Sequence, residues 1–148
     1  MKWQLSVSIY SLMLVLASMF SCNYQYPVNI PDVPINVTIS TFEPQFISLQ
    51  AVGGWAYLNG GSRGLILYRA SIDQVNCYER HCPYDSENPC GRVSVDDNGL
   101  LLVDNDCSGS GCGSRFNLIN GSNVDGPAIY PLKQYSTSFD GALIYVYN

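Results

Sequence analysis

Apolar and polar positions alternate with a period of two along most of the chain, and the alternating runs are short. In Ile35–Ser40 (INVTIS) the residues Ile35, Val37 and Ile39 fall on one side, the pattern of a half-buried strand. GGWAYL (Gly53–Leu58), LILYRA (Leu65–Ala70) and VNCYE (Val75–Glu79) follow as three strands. The turns NGGSRG (59–64) and SIDQ (71–74) join them into a meander. RVSV (92–95) and LLLV (100–103) flank DDNG (Asp96–Gly99), and Asn98-Gly99 is the strongest local turn signal in the chain. RFNLI, NGSNVDGPA and ALIYVYN complete the pattern. In the last run Ile144 and Val146 share one face, and Leu143, Tyr145 and Tyr147 the other. No stretch carries a convincing helical period, apart from a turn near Phe42–Leu49. The expected fold is all-β: an antiparallel sandwich or barrel.

Composition supports this. Charged residues are only 13% of the chain, whereas Gly (13) and Tyr (11) are abundant, a balance that favours strands and turns. The first 21 residues are a separate matter. Lys2 is their only charge, and an apolar run from Ile9 to Phe20 ends in MFSC, with Cys22 last. A spanning helix needs about 20 apolar residues, so residues 1–21 read as a secretory signal. MFSC resembles a bacterial lipobox, which implies cleavage before Cys22 and lipidation of its sulfur. The expectation is a protein anchored to the membrane of the bacterial cell envelope by lipid, on its periplasmic or outer-surface side. Pro27, Pro31 and Pro34 make residues 22–40 a tether leading into the first strand, with the β domain at 41–148. Removing Lys2 leaves six basic against twelve acidic side chains, a balance that argues against nucleic acid as a partner. An unidentified protein partner stays open.

Five cysteines remain after Cys22: Cys77, Cys82, Cys90, Cys107 and Cys112. Export favours disulfides, but an odd count leaves one thiol free or assigns some sulfurs to metal. The last four are separated by seven, sixteen and four residues, which matches no standard zinc module.

CPYD (Cys82–Asp85), a hairpin, and then CGSRFNLINGSNVDGPAIYPLKQY (Cys112–Tyr135) resemble the Rieske-type iron–sulfur domain. Gly113, Ser114, Phe116, Gly121, Gly126, Pro127, Ala128, Pro131, Leu132 and Tyr135 fall where that family places such residues. The resemblance runs from about Gly60 to Asn148, with the cluster loops at about 77–117, and is greatest to small Rieske-like lipoproteins with a similar tether. It implies an all-β fold and a [2Fe–2S] cluster on two loops, Cys-x-His and Cys-x-x-His, with Gly-Ser-x-Phe after the second. Here Cys82 keeps the first thiolate, Tyr84 stands at a histidine position, and Cys112 stands at the other. Cys107 is the nearest upstream thiol. A second register uses Cys77-Tyr78-Glu79 with Cys82 as an extra loop cysteine, and it also lacks histidine. His81 is the sole histidine and fits neither register, so a two-histidine cluster is excluded by count.

Three readings follow. Cys82, Cys90, Cys107 and Cys112 could hold a [2Fe–2S] cluster with altered ligands, for electron transfer. The same four could form two disulfides in a cluster-free binding or structural lipoprotein. They could also hold zinc. No nucleophile–base pairing marks an enzyme. The remaining polar residues read as ordinary: His81 as an exposed loop residue, Arg63 as half of a hairpin-edge salt bridge, Arg115 as solvent-facing. Asp96, Asp97, Asp104 and Asp106 read as acidic turns, and Trp55 and Tyr57 as core.

Overall fold

The computed structural model describes residues 29–105 and 111–148. The signal segment, Cys22 and Cys107 lie outside them. Among the described residues no helix is long and apolar enough to cross a membrane.

Among the described residues, ten strands form two antiparallel sheets. In chain order they are β1 (Asn36–Ser40), β2 (Trp55–Leu58), β3 (Leu65–Arg69), β4 (Val75–Glu79), β5 (Ser94–Val95), β6 (Leu101–Val103), β7 (Arg115–Asn117), β8 (Asn123–Asp125), β9 (Gln134–Phe139) and β10 (Leu143–Tyr147). The larger sheet has the order β1-β10-β9-β4-β3-β2 and the smaller β5-β6-β7-β8. The all-β expectation holds, and the helical turn is a 3-10 segment at Pro44–Gln50. Residues 29–34 carry no strand, but β1 pairs along its length with β10, Ile39 opposite Ile144 and Val37 opposite Val146. The strand expected to follow the proline-bearing stretch is therefore part of the large sheet.

Two apolar cores lie on opposite sides of β3 and β4. Leu65, Leu67, Val75, Cys77 and Tyr135 pack with Ile39, Leu49, Ile144 and Val146 in the first. Ile66 and Tyr78 point the other way, into a second core with Cys82, Val93, Leu102, Phe116, Leu118, Ala128 and Leu132. This is why LILYR has no polar alternation: a strand covered on both faces needs apolar residues at both phases. Trp55 is half-buried against the second core. Tyr57, expected in the core, is 40% exposed, with the Arg80 guanidinium over its ring at 3.9 Å.

Two strands were not separated by the sequence pattern. In β9 (QYSTSF) the inward residues are Tyr135, Thr137 and Phe139, and the outward ones Gln134, Ser136 and Ser138. A threonine inside this set hides an otherwise regular alternation. In β8 (NVD), on the sheet edge, no residue is buried, so no period exists to detect.

The turn after β7 docks the small sheet on the large one. The carbonyl of Ile119 accepts hydrogen bonds from Asn76 Nδ2 and Tyr78 Oη, both at 2.7 Å. Burial pushes the Tyr78 hydroxyl up to about 12. Two residues on, Gly121 has φ +70°, and a Cβ there would sit 2.8 Å from Tyr78 Cε1. Gly121→Ala therefore combines backbone strain with overpacking of a fully buried ring. It should cost about 1–3 kcal/mol, read as a lower urea midpoint at unchanged m-value.

Candidate functional site

The two loops that carry the sequence resemblance meet at one end of the small sheet. The first, residues 80–93 between β4 and β5, is held from below by the β2–β3 turn. Glu79 is fully buried at the end of β4, and its carboxyl accepts the backbone N–H groups of Ser62 (2.8 Å) and Arg63 (3.0 Å) and the Tyr135 hydroxyl (3.1 Å). Burial, and then the neighbouring Glu79 carboxylate, raise the Tyr135 pKa. With its backbone fixed, Arg63 reaches across the loop and donates to the carbonyls of Gly91 (2.6 Å) and Ser86 (3.1 Å). It is a clamp on backbone, not the salt bridge its hairpin position suggested.

His81 is likewise not an exposed loop residue: it is 4% exposed. Its Nε2 lies 2.8 Å from the Ser86 carbonyl and its Nδ1 2.6 Å from the Ser62 hydroxyl. A carbonyl only accepts, so Nε2 carries the proton and Nδ1 accepts from Ser62, an assignment made from these partners. Burial holds the pKa below the ordinary histidine value, which favours this neutral form. Both ring nitrogens are committed.

The second loop leaves β6 at Asp104 and returns through Cys112 to β7. Asp104 N–H donates to Ser114 O (3.0 Å) and Gly113 N–H to Asp104 O (2.9 Å), closing the loop base. Gly111 packs so closely that a Cβ there would lie 2.4 Å from the Asp104 carbonyl oxygen. Residues 106–110 are outside the described set.

At the junction Cys82 Sγ and Cys112 Sγ are 3.7 Å apart, and Asp104 Oδ2 is 3.2 Å from Cys112 Sγ. One ligand atom from each of Cys82, Asp104 and Cys112 lies within 4.8 Å of the others. Both sulfurs sit against hydrogen-bond donors. The N–H groups of Asp85 and Tyr84 point at Cys82, and the Ser114 N–H points at Cys112 from 3.4 Å. The Ser114 hydroxyl is 2.9 Å from Cys112 Sγ and accepts the Ala128 N–H at 3.0 Å. A single S–H proton cannot serve both Ser114 and Asp104. The hydroxyl, whose oxygen accepts from Ala128, is free to donate to the sulfur. Burial, reinforced by Asp104, raises the Cys82 thiol pKa. Burial raises Cys112 as well, against the pull of Ser114. Asp85 is held above the carboxylate range by burial and the Asp104 charge, against a hydrogen bond from the Cys112 backbone.

Of the residues singled out from sequence, Cys82 and Cys112 come together and are free thiols. Cys90 is disulfide-bonded, to none of the other described cysteines, so its sulfur is withdrawn from a thiolate set. Cys77 faces the first core, apart from the junction, so the second register is not built. Tyr84 is 36% exposed. Cys107, and Cys22 as the lipid site, lie outside the described residues. Arg115 is exposed, as expected. Asp96 does cap a turn, accepting the Leu100 (2.9 Å) and Leu101 (3.1 Å) N–H groups.

Asp104 is the residue sequence reading misplaced. Its side chain is fully buried, and its Oδ1 has no hydrogen-bond partner. The strand period carried the signal. Leu102 points inward and Val103 is half-exposed, so the next inward position is Asp104. Membership of an acidic run masked it.

These donors test the fit of the implied group. A [2Fe–2S] cluster takes four cysteine or histidine ligands. Among the described residues two such ligands converge, joined by one carboxylate, and the histidine is occupied elsewhere. The described donor set does not fit a Rieske-type cluster.

No family model and no curated protein matches the chain. Among solved structures it is similar to a chain in a complex of reduced oxygenase and oxidized ferredoxin in carbazole 1,9a-dioxygenase. The identity is 22%, over 64% of this chain and 81% of that one, with a TM-score of 0.42.

Because Arg63 holds the first loop through two charge-assisted bonds, Arg63→Ala should cost about 1.5–3 kcal/mol. Hydrogen exchange should localise the effect, with amides of residues 82–92 exchanging faster and those of β9 and β10 unchanged.

Proposed function

We propose that this protein is a non-enzymatic, cluster-free module of Rieske-like type that acts by binding at the cell envelope. The observation that carries this reading is the donor set at the loop junction: two thiols and a carboxylate, with the histidine engaged by Ser62 and Ser86. A histidine-ligated cluster needs imidazoles that this junction lacks. A nucleophilic mechanism needs a base beside the thiols, and the committed ring of His81 supplies none. The Cys90 disulfide suits an oxidising compartment. The lipobox-like MFSC and the proline-bearing tether support display on a lipid at Cys22.

Electron transfer by a cluster with altered ligands is the second reading. One observation favours it: the two loops of the sequence resemblance meet with a sulfur from each.

Protein extracted from native membranes without reductant distinguishes the two. The proposed module is colourless and lacks stoichiometric iron and labile sulfide. Cys22→Ser moves it from the membrane to the soluble fraction. Iron and sulfide near two per chain, with visible charge-transfer bands, would replace the binding reading with electron transfer.

A further inference from the structure

The buried, unpartnered Asp104 Oδ1 requires an explanation. Burying a carboxyl is costly unless its oxygens are paired, and buried polar atoms without partners are rare enough that an unplaced ion is a standing explanation. The other oxygen of the carboxyl, Oδ2, lies 3.2 Å from Cys112 Sγ, and the side chain groups with both sulfurs. Each sulfur faces backbone N–H groups, which favour its anion against the burial around it.

We propose that Cys82 Sγ, Cys112 Sγ and a carboxylate oxygen of Asp104 form a mononuclear site for a thiophilic divalent cation of the zinc class. The edges of the triangle fit this size of ion. Zn–S bonds of about 2.3 Å at tetrahedral angles place two sulfurs about 3.8 Å apart, and the observed separation is 3.7 Å. A Zn–O bond of about 2.1 Å places sulfur and oxygen about 3.6 Å apart, against 3.2 Å for Cys112 and Asp104. Two thiolates with one carboxylate select zinc-class ions over magnesium or calcium, which take oxygen ligands. Binding forms two metal–sulfur bonds and one metal–oxygen bond and releases the two thiol protons to solvent. A fourth position would remain for solvent or a partner's donor, and Cys112 is partly exposed. The site rests on the cluster-free reading, because a binuclear cluster would consume the same sulfurs.

The test is a titration of the full mature chain, purified without chelator, with Co2+ and then Zn2+. One equivalent of Co2+ should produce sulfur-to-metal charge-transfer bands and tetrahedral d–d bands, and Zn2+ should displace it. Asp104→Asn, which keeps the shape of the side chain, should weaken binding by at least about 10-fold. Asp97→Asn, at an exposed turn, should leave it unchanged. Wild-type protein alone gives an independent readout: one equivalent of Zn2+ should protect Cys112 from alkylation, whether or not the Asp104 variant folds. Unchanged affinity in folded Asp104→Asn, absence of thiolate bands, or equal alkylation of Cys112 with and without Zn2+ would overturn the site. Each of those results leaves the cluster-free module standing, whereas stoichiometric iron and sulfide in native protein would remove both.

Discussion

The two loops that meet at Cys82 and Cys112, the cap of this protein, depend on the buried carboxyl of Glu79. It sits at the end of β4, where the large sheet stops and the first cap loop begins, and it takes two backbone donors from the β2–β3 turn. Those two bonds place Ser62 under His81 and aim Arg63 across the loop. The loop then presents Cys82 to its counterpart. Removing the carboxyl would leave two partly buried N–H groups and a buried tyrosine hydroxyl without their acceptor, and an unmet buried donor costs about 1–3 kcal/mol. The geometry of the sulfur pair is thus set several residues below it.

The fold class and most strands were legible in the sequence because burial on one face writes a period of two. The failures have the same physical origin. β9 carries its period through Tyr135, Thr137 and Phe139, and a count of apolar residues loses a threonine that packs inward. β8 lies on an edge and has no buried face to record. The cap was harder, since loop residues are placed by hydrogen bonds between segments far apart in the chain. Nothing local in the sequence around His81 indicates that Ser62, 19 residues away, will satisfy its ring. Asp104 was within reach, because extending the β6 alternation by one step turns it inward.

The two cores share β3 and β4 as a common wall. Leu65 and Leu67 face one core and Ile66 the other, with no polar layer between. A change at the cap therefore acts on strands that also hold the tether end of the large sheet. Occupancy of the proposed site would therefore add to the stability of the whole domain, since a ligand bound only by the folded state stabilises that state by mass action.

The cap also keeps a bonded sulfur and free sulfurs in one small region: Cys90 in its disulfide, Cys82 and Cys112 unbridged. Such a mixture would ordinarily scramble, because a thiolate attacks a neighbouring disulfide and passes the bond along. Attack requires the deprotonated sulfur, and burial, reinforced by Asp104, raises both thiols above the ordinary cysteine value. The carboxylate that the proposed cation would engage also slows thiolate formation in the empty form. Disulfide connectivity in the cap is in this way protected kinetically, by withholding the thiolate that exchange needs.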